Sequence, residues 1–176
     1  TNHARKFLYP PDVVATGKYD AVMIASGDRE KPLYSTSNTA GAAQNVRNRF
    51  YMVKDPNTGK GLPAEWTAVK ESTLVDATSV AYRDSAAVNG FYLAFGAGEK
   101  AVNAPLTVAG YTYFGTNTPS PIRAGACYPD LGIARGYAVS FLNGQGIHNG
   151  PRYVVFDTGG LPPSPGFGMV SVREAG

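Results

Sequence analysis

The sequence predicts an all-β fold: an incomplete β-propeller of about two four-stranded antiparallel blades plus the first strand of a third. Charged residues make up only 16% of the 176 residues and aromatic residues 11%, unlike disordered chains or charged helical bundles. Short segments of alternating apolar residues are separated by Gly, Pro, Asn and Asp, which is typical of β-strands and their turns. The same order of strands occurs twice along the chain, which indicates a repeated architecture.

Nine strands are predicted from these alternating segments, each bounded by turn residues. They cover residues 12–15, 21–26, 49–54, 91–95, 106–109, 111–115, 136–141, 152–156 and 168–172. The residues that interrupt them include Pro10-Pro11, Asp55-Pro56, Asn89-Gly90, Asn143-Gly144 and Gly159-Gly160. A helix is predicted only as one short turn that opens at Pro63.

The repeated unit is a pair of strands, then a strand that opens with Arg and closes with a Gly turn, then an aromatic strand. The first unit covers residues 9–100, the second 101–160, and an extra strand at 165–172 begins a third. Four antiparallel strands per unit are typical of propeller blades. Because each blade buries its faces against its neighbours, two blades alone leave apolar faces exposed. We therefore expect residues 1–176 to form one segment of a larger β-propeller, with a self-contained β-sandwich as the alternative.

The charge of the chain argues against several classes of partner. The formal net charge is +3 with a sequence pI near 9.0, and the basic residues are scattered rather than gathered into a stripe. Nucleic-acid-binding proteins usually carry such a stripe, so we expect no nucleic acid partner. No apolar run approaches the roughly 20 residues that span a bilayer, so we expect no membrane span. The first residues contain neither an initiator Met nor a signal-peptide core, which indicates a mature or excised piece.

No catalytic, cofactor-binding or metal site is predicted, and the chain is predicted not to be an enzyme. The segment from Gly96 fits a dinucleotide-binding pattern, but Pro105 prevents the helix that this pattern requires. Asp55 opens a segment like a calcium-binding loop, but Lys60 and Trp66 stand where a Gly and a bidentate Glu are needed. Both segments are therefore predicted as turns, and the one at Asp55 is predicted as a hairpin turn. The two histidines lie far apart in the sequence, and no Ser lies in a nucleophile elbow.

Several longer stretches carry a family resemblance. They read KFLYPPDVV and YDAVMIASGDREKPL within residues 6–33, NGFYLAFGAGEKAVNAPLTVAGYTYFGTNTPSP at 89–121, CYPDLGIARGYAVSFLNG at 127–144 and GGLPPSPGFGMVSV at 159–172. Together they resemble the C-terminal β-propeller domain of the PilY family, bacterial proteins associated with type IV pilus tips and pilus assembly. The resemblance extends over nearly the whole chain.

The resemblance implies a non-enzymatic component of the type IV pilus tip. It implies a role in pilus assembly and in surface or host-cell adhesion through protein–protein contacts, at the cell surface or in the extracellular space, reached through the periplasm. The implied partners are minor pilins or pilin-like subunits, the remainder of the parent propeller chain, and a host or abiotic surface. The family's calcium loop has no counterpart in these residues, so we expect no cofactor in this segment and calcium only elsewhere in the parent protein.

Two candidate contact sites follow. Cys127 is the only cysteine, so no intrachain disulfide can form, and both a buried thiol and a bond to another segment remain open. Its match to a family cysteine implies an intermolecular or out-of-segment disulfide in an oxidising compartment. The leftover strand offers an unpaired edge for strand addition by a partner. The edge consists of Gly168, Met169, Val170, Ser171 and Val172.

The sequence is also compatible with two other functions. Residues 51–60 together with Trp66 resemble the docking repeat of quinoprotein dehydrogenase propellers, which predicts a quinoprotein-like dehydrogenase fragment with a bound quinone. A self-contained β-sandwich would instead bind carbohydrate through exposed Tyr and Trp side chains. The segment from Gly27 is interpreted as a turn at the end of a strand, in which Asp28 and Arg29 hold the backbone, rather than as a ligand site.

Overall fold

The computed structural model describes residues 5–30, 34, 42–61, 63–121, 125 and 130–168. Within these residues the chain forms ten β-strands, three short 3-10 helices and no α-helix. The strands are β1 (Asp12–Ala15), β2 (Asp20–Ala25), β3 (Arg49–Asp55), β4 (Val75–Asp76), β5 (Gly90–Ala94), β6 (Lys100–Ala101), β7 (Leu106–Val108), β8 (Tyr111–Thr118), β9 (Ile133–Ser140) and β10 (Tyr153–Phe156). The 3-10 helices are Ala43–Asn45, Glu71–Thr73 and Ile147–Asn149. The all-β prediction is confirmed.

The strands form two sheets that repeat one arrangement. In the first sheet the order is β1-β2-β3-β5-β4, with antiparallel pairs except for the parallel pair β4–β5. In the second sheet the order is β10-β9-β8, and both β6 and β7 pair with β8. The antiparallel series β7-β8-β9-β10 therefore repeats the series β1-β2-β3-β5. The division into units at residues 9–100 and 101–160 stays a prediction.

Two strands and one connection differ from the sequence-based expectation. The strands β4 and β6 are two residues long, which is too short for alternation to reveal them. The turn after β3 forms as predicted, because Asp55 Oδ1 accepts the N–H of Asn57 at 2.8 Å and Gly59 has a φ of 72°. It does not close a hairpin, since the strand that pairs next with β3 is β5, after the long connection 56–89. Gly168 lies in no strand, and residues 169–172 are outside the described part of the chain.

The two sheets pack through a stack of aromatic rings. Phe114 on β8 stacks on Phe50 of β3, with ring centroids 5.0 Å apart and an interplanar angle of 5°. On its other side it stacks on Tyr137 of β9, with centroids 4.8 Å apart. Phe91 and Phe95 extend the cluster through tilted contacts. Because these rings come from both sheets, they form one continuous core rather than two.

A buried polar cluster lies beside the aromatic stack and joins the sheets. Glu99 is only 3% exposed, and its carboxylate accepts the hydroxyls of Thr116 at 2.7 Å and Tyr137 at 2.8 Å. Arg135 lies 3.4 Å from the same carboxylate and supplies the opposite charge. The main-chain oxygen of Glu99 accepts the side-chain amide of Asn48, from the first sheet, at 2.9 Å. Each buried acceptor thus has a donor, which is what burial of a charge requires.

The sheets approach most closely where the chain leaves β2. The N–H of Ala101 on β6 donates to the carbonyl of Ser26 at 3.1 Å. A Cβ atom at Gly27 would lie 2.0 Å from the carbonyl oxygen of Ala101, so only glycine fits there. The predicted turn at Gly96 also forms, and it is followed by β6 rather than by a helix.

Candidate functional site

Exposed apolar side chains concentrate on the second sheet and on the segment that follows it. All four side chains of β10 are between 40% and 61% exposed. Nearby exposed residues are Leu131, Ile133, Leu142, Ile147, Leu161 and Phe167. Scattered single apolar residues are ordinary on a protein surface, whereas four consecutive exposed apolar side chains on one strand point to an interaction site.

The side of the second sheet that points away from the first, here called the outer face, has a flat floor made by two glycines. Gly115 on β8 and Gly136 on β9 are direct partners in the sheet. A Cβ atom at Gly136 would lie 2.8 Å from the ring of Phe156, and one at Gly115 would lie 2.8 Å from Pro162. The two glycines therefore allow Phe156 and Pro162 to lie directly on the sheet.

A proline-rich segment, residues 159–165, crosses the outer face and is called the strap. Two buried asparagines hold it. Asn103 donates to the carbonyl of Pro163 at 2.9 Å, and Asn117 donates to the carbonyl of Gly160 at 2.6 Å. Because prolines have no N–H and cannot join a sheet ladder, side-chain amides fix the strap where backbone pairing cannot.

A groove of about 610 Å³ lies between the strap and β10. Its walls are mainly apolar, and among its lining residues Arg152 carries the only charged side chain. The Arg152 guanidinium donates to the carbonyls of Ala77, Thr78 and Gly144. Burial lowers its pKa below the ordinary value. Within the described residues no carboxylate pairs with Arg152, so it holds the start of β10 through carbonyl groups alone.

The outer edge of β10 is unpaired within the described residues. The N–H of Ala138 donates to the carbonyl of Arg152 at 2.9 Å, so Arg152 and Val154 face β9 with their backbone groups. By alternation, Tyr153 and Val155 direct their N–H and C=O groups away from the sheet. The strand contains no Lys, Pro or bulge of the kind that normally protects an edge.

Of the contact sites predicted from the sequence, only Gly168 lies among the described residues. Gly168 is exposed and lies in no strand, whereas Met169, Val170, Ser171 and Val172 lie outside the described residues. Cys127 also lies outside them. The open edge that the structure describes is that of β10. The sequence feature that distinguishes β10 is the uninterrupted apolar run from Tyr153 to Phe156. This run lacks the alternation of a strand with one buried face.

In the turn from Gly27, Asp28 holds the backbone as the sequence predicted, whereas the role of Arg29 stays a prediction. Asp28 accepts the N–H of Glu30 at 3.1 Å and the Lys6 ammonium at 2.8 Å. Burial alone would raise the pKa of Asp28, but the hydrogen bond and charge of Lys6, with the Glu30 N–H, lower it below its ordinary value. The carboxylate is fully engaged by the chain itself, as expected of a structural turn.

The described residues contain no group of three or more His, Cys, Asp or Glu side chains placed to hold a metal ion. In the same part of the chain, no helix has the length and apolar character needed to cross a membrane.

No protein-family model matches this chain, and no curated protein sequence matches it. A solved structure does: the C-terminal domain of PilY1 from Pseudomonas aeruginosa has a TM-score of 0.54 at 17% sequence identity, over 80% of this chain and 32% of that one. The chain thus spans about a third of the length of that solved structure. At this identity the likeness shows the fold, and the predicted β-propeller-type fold is confirmed. The resemblance to the PilY family is supported at the level of the fold.

Proposed function

We propose that this chain is a non-enzymatic docking component of a type IV pilus tip, acting through protein–protein contacts at the cell surface. The observation that carries the proposal is the apolar groove on the outer face, with the unpaired edge of β10, on a PilY-like fold. The proposed partners are minor pilins or pilin-like subunits and the remainder of a parent propeller chain. The segment needs no cofactor for this role.

The exposed area is large enough to contribute to binding. Burying a whole Val or Phe side chain contributes roughly 1.5–3 kcal/mol, and the β10 side chains are about half exposed. Covering all four would contribute on the order of 4 kcal/mol before the costs of association. A groove with apolar walls and one charged side chain is also typical of recognition sites.

The test is titration calorimetry of the chain with each minor pilin of the source organism. We expect one of them to bind, and we expect the double substitution Val154→Thr, Phe156→Ser to weaken that binding by at least about tenfold. Substitutions of exposed apolar residues elsewhere, Val13→Thr and Val80→Ser, serve as matched controls and should leave binding unchanged. If no minor pilin binds, the assignment to the pilus tip is wrong.

Carbohydrate binding is a second candidate, favoured by one side chain. Trp66 is 49% exposed, in a turn closed by its own N–H on the carbonyl of Pro63. An exposed indole is a natural stacking surface for a sugar ring. Sugar-dependent quenching of Trp66 fluorescence would support this function, and unchanged emission across a sugar panel would exclude it for the sugars tested. The quinoprotein-like hypothesis stays a prediction.

A further inference from the structure

The strand β5 of the first sheet corresponds to β10 of the second, but the outer edge of β5 is covered by another strand. The antiparallel partners Tyr51–Tyr92 on β3 and β5 correspond to Tyr137–Tyr153 on β9 and β10. In the first sheet, the two-residue strand β4 pairs in parallel with β5 and places Asp76 opposite Tyr92. The second sheet has no such strand beside β10 within the described residues. The first sheet therefore shows what an occupied edge looks like in this protein.

Equivalent polar side chains surround this edge in each of the two sheets. In the first sheet, Glu71 accepts the Tyr51 hydroxyl at 2.6 Å and pairs with Arg49. In the second, Glu99 accepts the hydroxyl of Tyr137 and pairs with Arg135. Each arginine lies over the tyrosine of the edge strand: Arg49 is 3.9 Å from the Tyr92 ring centroid, and Arg135 is 5.2 Å from that of Tyr153.

One member of this arrangement has no counterpart in the second sheet. The Tyr92 hydroxyl donates to Asp76 at 3.0 Å, and this aspartate comes from the covering strand. Within the described residues the Tyr153 hydroxyl has no such acceptor. The residues after Asp76 complete the cover, since Ala77 donates its N–H to the Tyr92 carbonyl and Thr78 accepts the Ala94 N–H. The corresponding backbone groups of Tyr153 and Val155 point away from the second sheet.

We propose that the outer edge of β10 binds an extended segment of a partner protein, parallel to β10, with an apolar residue followed by an acidic one. The acidic side chain accepts the Tyr153 hydroxyl close to Arg135, the backbone of the segment pairs with Tyr153, and a hydroxyl two residues after the acidic one accepts the Val155 N–H, as Thr78 accepts that of Ala94. The covering segment of the first sheet, Val-Asp-Ala-Thr at residues 75–78, is the template for this chemistry. This inference rests on the proposed docking function and names the class of segment that is bound by strand addition.

The probe is an acetylated, amidated peptide, Leu-Val-Asp-Ala-Thr-Ser, which copies residues 74–79. It is titrated into the isotope-labelled full chain and followed by NMR. We expect saturable binding with a Kd of ~0.1–1 mM, as suits one short strand. The exchange of the Val155 amide with solvent should slow at least about tenfold when the peptide binds. A peptide with Asn in place of Asp should bind about tenfold more weakly.

Variants of the protein separate backbone pairing from side-chain contact. Val155→Pro removes an N–H that the sheet does not use, so it should abolish binding without lowering the melting temperature by more than a few degrees. Val155→Thr keeps the N–H and should bind the peptide. Ala15→Pro is the matched control and should also bind, because Ala15 is exposed on the edge strand β1 and its N–H points away from β2. Tyr153→Phe should weaken binding about fivefold, whereas Tyr113→Phe should not.

Each contrary result is informative. If the peptide does not bind, or if Val155→Pro binds as well as the wild type, strand addition is wrong, even when a minor pilin still binds through the outer face. If the Val155 amide is already protected in the free monomer, the chain covers this edge itself and the proposal is wrong. A concentration-dependent dimer abolished by Val155→Pro would show that the partner is a second copy, which also overturns it. Failure of every pilin with retained peptide binding would reject the pilus assignment alone.

Discussion

Glu99 shows how one buried residue links the two sheets, because its main-chain oxygen accepts from Asn48, next to β3, while its side chain binds the second sheet. Its carboxylate accepts hydrogen bonds from Thr116 and Tyr137 of the second sheet and from the N–H of Gly96, and Arg135 balances its charge. Burial, followed by the charge of Glu99 and its hydrogen bond, raises the pKa of Tyr137, so the tyrosine remains a proton donor at any physiological pH. The cluster is stable only as a whole, because each member is buried with the others.

Replacing Glu99 by Gln should lower the free energy of unfolding by about 2–4 kcal/mol. The substitution leaves the Arg135 guanidinium buried without an opposite charge, which is more costly than the loss of an exposed ion pair. Urea unfolding followed by circular dichroism measures the effect. The control is Glu65→Gln, at an exposed position, which should change the stability by less than about 0.5 kcal/mol. A loss below about 1 kcal/mol for Glu99→Gln would contradict this account.

The lowered pKa of Asp28, in the turn after β2, predicts that the stability of the fold depends on pH. Its pKa is lower in the folded chain than the ordinary 3.8, so its interactions stabilise the fold above that pH and are lost as the pH falls through the folded pKa. We therefore expect Asp28→Asn to be less stable than the wild type at pH 6, and we expect this difference to shrink as the pH falls below 3.8. Thermal melts across this range measure the difference. A stability difference for Asp28→Asn that stays constant across this pH range would refute the assignment.

At the scale of the elements, β10 has two different edges. One pairs with β9 in register, and the other is open, although all four of its side chains are apolar and exposed. The strand is anchored at its start by Arg152, which reaches the carbonyls of Ala77 and Thr78 just beyond β4. This clamp joins the outermost strands of the two sheets. The guanidinium is satisfied without a carboxylate partner, because three carbonyl oxygens accept its hydrogen bonds.

Arg152→Met should lower the free energy of unfolding by about 2–3 kcal/mol. Methionine keeps the apolar stem but removes the donors to three carbonyls, which are then left without these partners. The control is Arg83→Met, at an exposed position, where little change is expected. Hydrogen exchange should show faster opening of β10 in Arg152→Met than in the control. Unchanged stability and exchange would mean that β10 is held by its pairing with β9 alone.

At the scale of the whole molecule, the aromatic stack makes the two sheets interdependent. Phe114 contacts Phe50 of the first sheet and Tyr137 of the second, and the core cluster draws residues from both sheets. Neither sheet has a separate core. We therefore expect the two sheets to unfold together, although each repeats the same four-strand series.

Unfolding in urea should follow a single transition, with the same midpoint by far-UV and near-UV circular dichroism. Phe114→Ala should lower the free energy of unfolding by about 3–5 kcal/mol, because it leaves a cavity at the contact between the sheets. Phe167→Ala, at the most exposed large apolar side chain of the described residues, is the control and should be close to neutral. Two separate transitions in the wild type would show that the sheets are independent units.

The sequence by itself determined the all-β class and the position of most strands. The predicted segments at 12–15, 49–54 and 106–109 lie within a residue of β1, β3 and β7. The turns at Asp55 and Gly96 were predictable for the same reason: alternation and turn chemistry depend on residues that are adjacent in the chain. The repeat of four strands was also visible, because it is a matter of order along the chain.

Only the tertiary structure decided what lies beside these strands. The strands β4 and β6 are two residues long and exist because a neighbouring strand pairs with them. Glu99, assigned by the sequence to a turn, became the centre of a buried cluster through partners 17 and 38 positions away. Which strand edge is covered was also decided there: a segment from an earlier part of the chain covers the edge of β5, whereas no strand covers that of β10 within the described residues. These features depend on contacts between residues far apart in the sequence, and no local pattern specifies which distant segment will pack beside a given strand.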